Sequence, residues 1–225
     1  MQITEIFHSI QGESSHAGRP CVFVRLTGCN LRCQWCDTEY SFHGGRRQAV
    51  DEVLAAIRAF PSRLVEITGG EPMLQGPEVC KLAERLLAEG YAVLLETSGE
   101  RDLSQLPAGV VKIVDVKCPG SGEGDSFHMG NLPLLTPTDE VKFVLTDRED
   151  YEFARDFVQH HALTQRCGNV LFSPAFRKDA AGERSASQCL LDPRRLAEWI
   201  LEDGLTVRLS LQIHKFIWDP ALHAV

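Results

Sequence analysis

The chain has 225 residues, of which 44% are hydrophobic and 24% are charged, and its formal net charge is −8. This length and composition are typical of one globular domain spanning residues 1–225. The acidic balance argues against a nucleic-acid partner, because domains that bind phosphates carry basic patches, and the apolar runs are too short for the ~20 residues of a membrane helix.

The amino terminus does not have the pattern of a secretory signal peptide. Glu5 comes early, and no positively charged segment precedes an apolar core. We therefore expect a cytoplasmic protein whose eight cysteines are reduced thiols or ligands rather than disulfides. The following stretch, Ile10-Gln11-Gly12-Glu13, precedes a polar turn and is by itself typical of a hairpin arm.

Three closely spaced cysteines follow the first apolar run, residues 21–27. Cys29, Cys33 and Cys36 form a C-x3-C-x2-C array. Soft thiolates suit iron–sulfur clusters, zinc and copper(I). Three thiolates on a four-iron cluster would leave one iron open to a substrate or cofactor. A structural zinc site needs a fourth ligand, for which His43 is the next candidate, and buried structural cysteines are the other alternative. The remaining five cysteines stand singly and indicate no site.

Strand-like and helix-like runs alternate along the rest of the chain. Most strand-like runs are continuously apolar, which suits parallel strands buried on both faces. Helices are indicated where apolar residues recur on one helical face. The predicted strands are residues 21–27, 64–68, 92–96, 110–116, 140–145, 169–173 and 205–212. The predicted helices are residues 49–60, 78–89, 150–161 and 193–204, the last with Asp192 as N-cap.

This alternation predicts an α/β fold built of right-handed βα units. An open doubly wound sheet and a partial barrel both agree with it, and periodicity does not separate them. In either fold, ligands bind at the carboxyl ends of the strands. Residues 119–132 and 177–187 follow strand ends and are candidate lids over such a site.

Polar groups stand at several of these strand ends. Thr68-Gly69-Gly70-Glu71-Pro72 follows the second strand, and its glycines allow a ligand close to the backbone. Each of the other groups also has an ordinary interpretation as a helix cap, a solvated lysine or a structural histidine. In chain order these groups are Ser98, Asp115, Lys117, Ser173, Gln212 and His214.

The cysteine array, Trp35 before its last cysteine and the Gly-Gly-Glu-Pro segment together resemble the radical S-adenosylmethionine (SAM) superfamily. The resemblance implies a partial (β/α) barrel of about six parallel strands with three main helices. It also implies a 4Fe-4S cluster on Cys29, Cys33 and Cys36, with SAM at the open iron. The residues it assigns to SAM are Trp35, Cys36, Asp37, Gly70, Glu71, Ser98, Asp115, Val116, Lys117 and Ser173.

The amino-terminal Gln-Gly-Glu, the Cys-Asp-Thr and the carboxyl-terminal His-Lys resemble one branch of that superfamily, the 7-carboxy-7-deazaguanine synthase family. This similarity runs over essentially the whole chain. It implies a carbon–nitrogen lyase of queuosine biosynthesis that converts 6-carboxy-5,6,7,8-tetrahydropterin to 7-carboxy-7-deazaguanine with loss of ammonia. It further implies Mg2+ on Thr38, a homodimer, and an electron donor such as flavodoxin or ferredoxin. The residues it assigns to the pterin are Ile10, Gln11, Gly12, Arg25, Thr68, Gln212, His214 and Pro220.

Two features depart from the family pattern. Ser14 stands where the family often has a second glycine, so the turn there is open to change. The chain also continues past Trp218 to Val225, which leaves open whether Pro220 or the terminal carboxylate reaches the substrate.

Two alternative functions are compatible with the cysteine array. One is a glycyl-radical-activating enzyme of the same superfamily, but that function gives no reason for Arg25, Thr38 and His214 to converge on a small anionic substrate. The other is a non-enzymatic module that binds zinc or a cluster. Metal analysis of the purified protein distinguishes a cluster from zinc: a cluster gives about four irons and four sulfides per chain, and a zinc site gives one zinc.

Overall fold

Nine strands form one mixed sheet, and helices occupy several of the connections between them. The computed structural model describes residues 1–178, 180 and 182–225. The strands are β1 (Gln2–Ile10), β2 (Pro20–Leu26), β3 (Arg46–Arg47), β4 (Leu64–Gly69), β5 (Ala92–Thr97), β6 (Val110–Asp115), β7 (Glu140–Leu145), β8 (Asn169–Pro174) and β9 (Arg208–Leu209). The α-helices are α1 (Val50–Arg58), α2 (Gly76–Ala88), α3 (Arg148–His160), α4 (Pro193–Glu202) and the one-turn α5 (His214–Ile217).

The sheet is open, with the strand order β3-β1-β2-β4-β5-β6-β7-β8-β9. Strand β2 and strands β4 to β9 pair in parallel with one another. Strand β1 is antiparallel to both β2 and β3. A doubly wound sheet reverses its strand order at a switch point. Here the parallel strands follow one another in chain order, as they do in a barrel. The predicted partial barrel of about six parallel strands is therefore confirmed, with the two-residue β9 added at its edge.

The inner face of the curved sheet has an apolar layer below a polar one. The apolar layer consists of Phe7, Cys21, Phe23, Leu64, Leu94 and Ile113. Side chains two positions apart share a face of a strand, so the next inward positions are Arg25, Glu66, Glu96 and Asp115. The outer face packs with the helices in the main hydrophobic core. The apolar layer lies towards the amino ends of the strands. The polar layer lies towards their carboxyl ends, where it surrounds the site.

The structure has one main helix more than the three that the resemblance implies. In the described part of the chain, α1, α2, α3 and α4 each have nine or more residues. The fourth, α4, is stabilised by burial of Leu196 and Ile200 in the main core and by its N-cap, since the Asp192 carboxylate accepts a hydrogen bond from the Arg194 N–H at 2.9 Å. No helix among the described residues is long and apolar enough to cross a membrane.

The amino-terminal end of the chain agrees with the hairpin arm expected from the sequence, whereas the carboxyl-terminal end differs from the predicted strand. The amino-terminal stretch forms a full strand, β1, hydrogen-bonded to β2 as a hairpin. The strand predicted over 205–212 shortens to β9, because the chain leaves the sheet edge after the Ser210 N–H bonds to Phe172 O. The Ile213 N–H then donates to Gly12 O at 2.8 Å, which turns the carboxyl-terminal segment towards the amino-terminal loop.

The structure describes all of one candidate lid and part of the other. The segment 119–132 includes the 3-10 helix Pro119–Ser121 and the start of another, Met129–Leu134. Asn131 is fully buried there, and its amide bridges to Gly99 O at 2.9 Å, so this segment is fixed by specific hydrogen bonds. Residues 179 and 181 of the other candidate lid lie outside the described residues.

Candidate active site

A large cavity opens at the carboxyl ends of the parallel strands. Its volume is about 220 Å³, and it is partly open to solvent. Most of the site residues predicted from the sequence line it, although they come from both ends of the chain and from within or just after five strands. They are Ile10, Gln11, Gly12, Arg25, Cys29, Cys33, Trp35, Cys36, Asp37, Thr38, Thr68, Gly70, Glu71, Ser98, Asp115, Lys117, Gln212 and His214.

Three of the predicted site residues do not line the cavity. Val116 is 1% exposed and belongs to the main hydrophobic core, because the residue after Asp115 turns to the opposite face. Ser173 is buried within β8, away from the cavity lining. Pro220 also lies outside the lining, whereas Val225 is part of it.

The cysteine loop begins directly after β2 and forms one wall of the cavity. Cys29, Cys33 and Cys36 are half-buried free thiols that all face the same space. Burial raises the pKa of Cys33 to about 11, against the opposing influence of the Lys117 ammonium. Iron would displace these protons, since cluster ligands are thiolates. Three thiols on one wall, open on the other side, agree with a cluster that keeps one iron accessible, whereas His43 is exposed and outside the lining.

The Gly-Gly-Glu-Pro loop packs directly against the start of the cysteine loop. The Glu71 N–H donates to Gly28 O at 2.8 Å. A Cβ atom on Gly70 would lie only 2.2 Å from that same oxygen and 2.7 Å from Cys29 Cβ. Only glycine therefore permits this approach of the two loops.

The Glu71 carboxylate is occupied by protein donors. Its Oε1 accepts from the Met73 N–H at 3.0 Å and the Thr97 hydroxyl at 2.7 Å. Its Oε2 accepts from the N–H and the hydroxyl of Ser98, at 2.9 and 2.7 Å. Glu71 thus fastens the loop after β4 to the end of β5 and fixes Ser98 at the cavity edge.

Arg25 and Thr68 stand side by side on the inner face, in register between β2 and β4. Arg25 Nε donates to Glu5 Oε1 at 2.8 Å, and Tyr40 donates its hydroxyl to the same oxygen. The guanidinium also lies over the rings of Phe7 and Tyr40, at 5.7 and 5.8 Å from their centroids. These contacts fix the Arg25 side chain through its Nε atom and through the flat faces of its guanidinium group.

Two carboxyl-terminal residues meet the other cavity walls. Lys215 Nζ pairs with Asp37 Oδ2 at 2.5 Å. Burial by itself would raise the pKa of Asp37, but Lys215, His214 and Arg25 outweigh it and hold that pKa well below its usual range. Burial lowers the pKa of His214, which packs so closely on Gly12 that a Cβ there would lie 2.0 Å from Nδ1.

A buried ionic network in the cavity wall was not found by sequence analysis. Lys142 of β7 is 3% exposed; it donates to Glu13 Oε2 at 2.5 Å and to Glu96, and it lies 3.7 Å from Asp115 Oδ2. Burial acts to raise the pKa of Glu13, but Lys142 and His214 outweigh it and lower that pKa to about 2. The available signal was a lysine inside an apolar strand, since a buried ammonium requires partners.

Comparison with known proteins identifies the family. Residues 23–114 match the model of the Radical SAM superfamily. The chain is 62% identical to a 7-carboxy-7-deazaguanine synthase of Koribacter versatilis (strain Ellin345), over 100% of both chains. It is 39% identical to one of the same name from Chlorobaculum tepidum, over 100% of this chain and 97% of that one. The crystal structure of QueE from Escherichia coli has the same fold, with a TM-score of 0.72 at 22% identity over 93% of this chain and 92% of that one.

These matches confirm the family that the motifs indicate. They set aside a zinc-binding module and a glycyl-radical-activating enzyme, and the superfamily implies a 4Fe-4S cluster and SAM as cofactors. At 62% identity over the full length of both chains, the chain belongs to the 7-carboxy-7-deazaguanine synthase family of radical SAM enzymes.

Proposed function

We propose that this protein is a 7-carboxy-7-deazaguanine synthase, which converts 6-carboxy-5,6,7,8-tetrahydropterin to 7-carboxy-7-deazaguanine and ammonia. One observation carries the proposal: three half-buried thiols share a cavity with a fixed arginine and a set of polar side chains from both ends of the chain. The thiol wall suits a cluster, and the opposite wall suits a small anionic ring.

The cofactor half of the cavity is formed by the cysteine loop and the ends of β4 to β6. When bound, the reduced cluster and SAM supply a carbon-centred radical that takes hydrogen from the substrate. Cys29, Cys33 and Cys36 would ligate the cluster. The remaining residues would orient SAM and exclude water, with Gly70 giving close access to the backbone. They are Trp35, Asp37, Gly70, Glu71, Ser98, Asp115 and Lys117.

The substrate half is formed by β1, β2, β4 and the carboxyl-terminal segment. Because Glu5 engages Arg25 through Nε, the two terminal nitrogens of the guanidinium are left to bind the substrate carboxylate by parallel hydrogen bonds. Polar groups around it would hold the pterin ring. The residues in this set are Ile10, Gln11, Gly12, Thr68, Gln212 and His214.

Thr38 is the proposed Mg2+ ligand. Its Oγ1 lines the cavity, 3.6 Å from Cys36 Sγ, while the neighbouring Asp37 carboxylate is held by Lys215. Mg2+ takes oxygen ligands, keeps several waters and is commonly bound by few protein groups together with an anionic substrate. One hydroxyl beside a carboxylate-binding arginine agrees with that preference, and the ion would act as Lewis acid and template.

The proposed partners rest on the family resemblance. We expect a homodimer and an electron donor such as flavodoxin or ferredoxin, and a cytoplasmic location stays a prediction. Light scattering of the purified protein measures the oligomeric state, and a homodimer has twice the chain mass of 25.0 kDa. Reduction of the cluster by each candidate donor, followed spectroscopically, identifies the electron donor.

The decisive experiment is an anaerobic assay of the reconstituted protein with SAM, dithionite and the carboxytetrahydropterin, analysed by mass spectrometry. We expect 7-carboxy-7-deazaguanine and ammonia, formed faster with added Mg2+. A protein with a full cluster that cleaves SAM yet leaves the pterin unchanged, with or without Mg2+, would overturn the function. Cys33→Ala should lose both cluster and activity, whereas Cys80→Ala, at a thiol that bonds Gln105 O outside the cavity, should keep both.

Two variants test the substrate half at constant cluster content. Arg25→Lys keeps the charge but loses the bidentate geometry, so the loss of a charge-assisted hydrogen bond should lower kcat/KM roughly ten- to a hundredfold. Thr38→Ala should weaken the response to Mg2+. Unchanged kcat/KM in the first variant, or an unchanged Mg2+ response in the second, would remove the corresponding residue from the proposal.

A further inference from the structure

Glu66 is a buried carboxyl group on the inner face of β4 that neither the motifs nor the family assignment explains. It is 1% exposed and yet lines the cavity. Gln11 Nε2 donates to its Oε2 at 2.7 Å. Because Glu66 lies two residues before Thr68, the two side chains share one face of the strand, with Arg25 beside Thr68 on β2. Glu66 therefore lies among the residues proposed to hold the pterin.

The groups that face Glu66 are mostly acidic. Glu66 is in register with Leu94, which brings Glu96, two residues further along β5, to the same face. Glu13 and the Cys21 thiol are the other titratable neighbours. The Lys142 ammonium, which also lines the cavity, already pairs with Glu13 and Glu96.

A second carboxylate beside Glu96 would be buried without a cation of its own, which is costly. Burial and the negative charge of Glu96 raise the pKa of Glu66 well above its usual range, in spite of the hydrogen bond from Gln11. Glu66 thus favours its protonated form, next to a cavity in which the carboxylates of Glu13, Glu96, Asp37 and Asp115 are each paired with a lysine. A buried carboxylic acid of this kind is a typical general acid.

Resting on the proposed function, we infer that Glu66 is the acid–base residue of the step that releases ammonia. The rearranged substrate must break one carbon–nitrogen bond, with the electron pair going to nitrogen. The Glu66 carboxyl group gives its proton to that nitrogen, and ammonia leaves. The Glu66 carboxylate then removes a proton from the neighbouring ring carbon, whose electron pair forms the double bond of the aromatic product. Glu66 ends protonated again, so protons and electrons balance without another reactant.

The test separates hydrogen abstraction from ammonia release. Glu66→Gln keeps the shape and a hydrogen-bonding group but cannot donate a proton. With substrate deuterated at C6, deuterium should still enter 5′-deoxyadenosine or product precursors at the wild-type rate. Ammonia release should fall about 100-fold or more, and a species with the mass of the substrate but a different retention time should accumulate. Glu78→Gln, at an exposed position on α2, should behave as wild type.

Three outcomes would overturn the inference. If deuterium transfer and ammonia release fall together, or KM rises alone, Glu66 only positions the substrate. Infrared spectroscopy of the purified protein gives a readout apart from activity: the carbonyl band of a protonated carboxyl group should be present in the wild type and diminished in Glu66→Gln. Its absence from the wild type would also overturn the inference. Failure of the wild type to convert the pterin would instead count against the proposed function, while the infrared result would still stand.

Discussion

At the scale of single residues, Gly70 sets the distance between the Gly-Gly-Glu-Pro loop and the cysteine loop. A side chain there meets backbone, Gly28 O at 2.2 Å, and the Cβ of the proposed cluster ligand Cys29 at 2.7 Å. Neither atom belongs to a flexible side-chain end, so the cysteine loop itself would have to move. The sequence motif alone suggests that a larger residue would disturb only SAM, whereas the packing places a Gly70 side chain directly against Gly28 and Cys29 of the cysteine loop.

We therefore predict that Gly70→Ala lowers cluster content as well as SAM cleavage. The overpacked loop should cost about 1–3 kcal/mol, and iron and sulfide per chain after anaerobic reconstitution should fall below the wild-type value. Gly76→Ala is a matched control, because its Cβ would only reach ordinary contact with Met73 at 3.5 Å at the start of α2. A Gly70→Ala protein with a full cluster would contradict this coupling of the loops.

Ser14 departs from the family's glycine pattern, and the turn accommodates it. Its φ of 58° lies in the left-handed region, where glycine is favoured. The family's second glycine therefore marks a real conformational requirement, and the serine adopts it. Its Oγ accepts a hydrogen bond from the His16 N–H at 3.1 Å, which supports the turn. The sequence predicted a change at this position but not that the backbone would be kept.

At the scale of elements, the loop after β1 fastens the amino terminus across the barrel mouth. Gln11 bonds to Glu66 on β4, and Glu13 pairs with Lys142 on β7. Ser15 donates from both its N–H and its hydroxyl to the buried Glu140. The loop is thus tied to strands on both sides of the cavity, and its ionic contact should make its stability depend on pH.

Glu13→Gln should measure that contact. The folded-state pKa of Glu13, about 2, lies below its ordinary 4.5. Its ionisation therefore stabilises the fold above about pH 4.5, and this contribution is lost as the pH falls towards 2. The wild type should exceed the variant in free energy of unfolding by up to roughly 3 kcal/mol at pH 7, and the difference should shrink between pH 5 and pH 3. Urea unfolding at each pH tests this; a difference that stays constant would rule out ionisation of Glu13 as the cause.

Elements in the middle of the chain were predictable because each one carries its own pattern. The parallel strands read as apolar runs, and the Asp192 cap marks the start of α4. The ends were less predictable since their structure depends on each other. The alternating residues of 205–212 suit a strand, but Ile213 bonds to Gly12 instead, a contact between segments about 200 residues apart that no local pattern indicates.

At the scale of the whole molecule, the sheet is open and side-chain contacts from the carboxyl-terminal segment help to close the site. The sheet ends at β9 on one side and at β3 on the other. Beyond β9, Gln212 donates to Glu13 at 2.8 Å, and Lys215 pairs with Asp37 in the cysteine loop. The segment therefore links the last strand, the amino-terminal loop and the cysteine loop across the open side.

This arrangement predicts that Lys215 retains the cluster through Asp37. Lys215→Met should keep the bulk of the side chain but leave Asp37 without its cation. The half-exposed carboxylate limits the loss of stability to about 1–2 kcal/mol, yet the cysteine loop loses its link to the carboxyl-terminal segment. We expect faster loss of iron to a chelator under anaerobic conditions.

Lys112→Met is the matched control, because Lys112 pairs with the buried Asp139 at 2.8 Å at the amino end of the strands. The control should lower stability without changing the rate of iron loss. Equal rates in both variants would show that general destabilisation, and not the link to the cysteine loop, controls cluster retention.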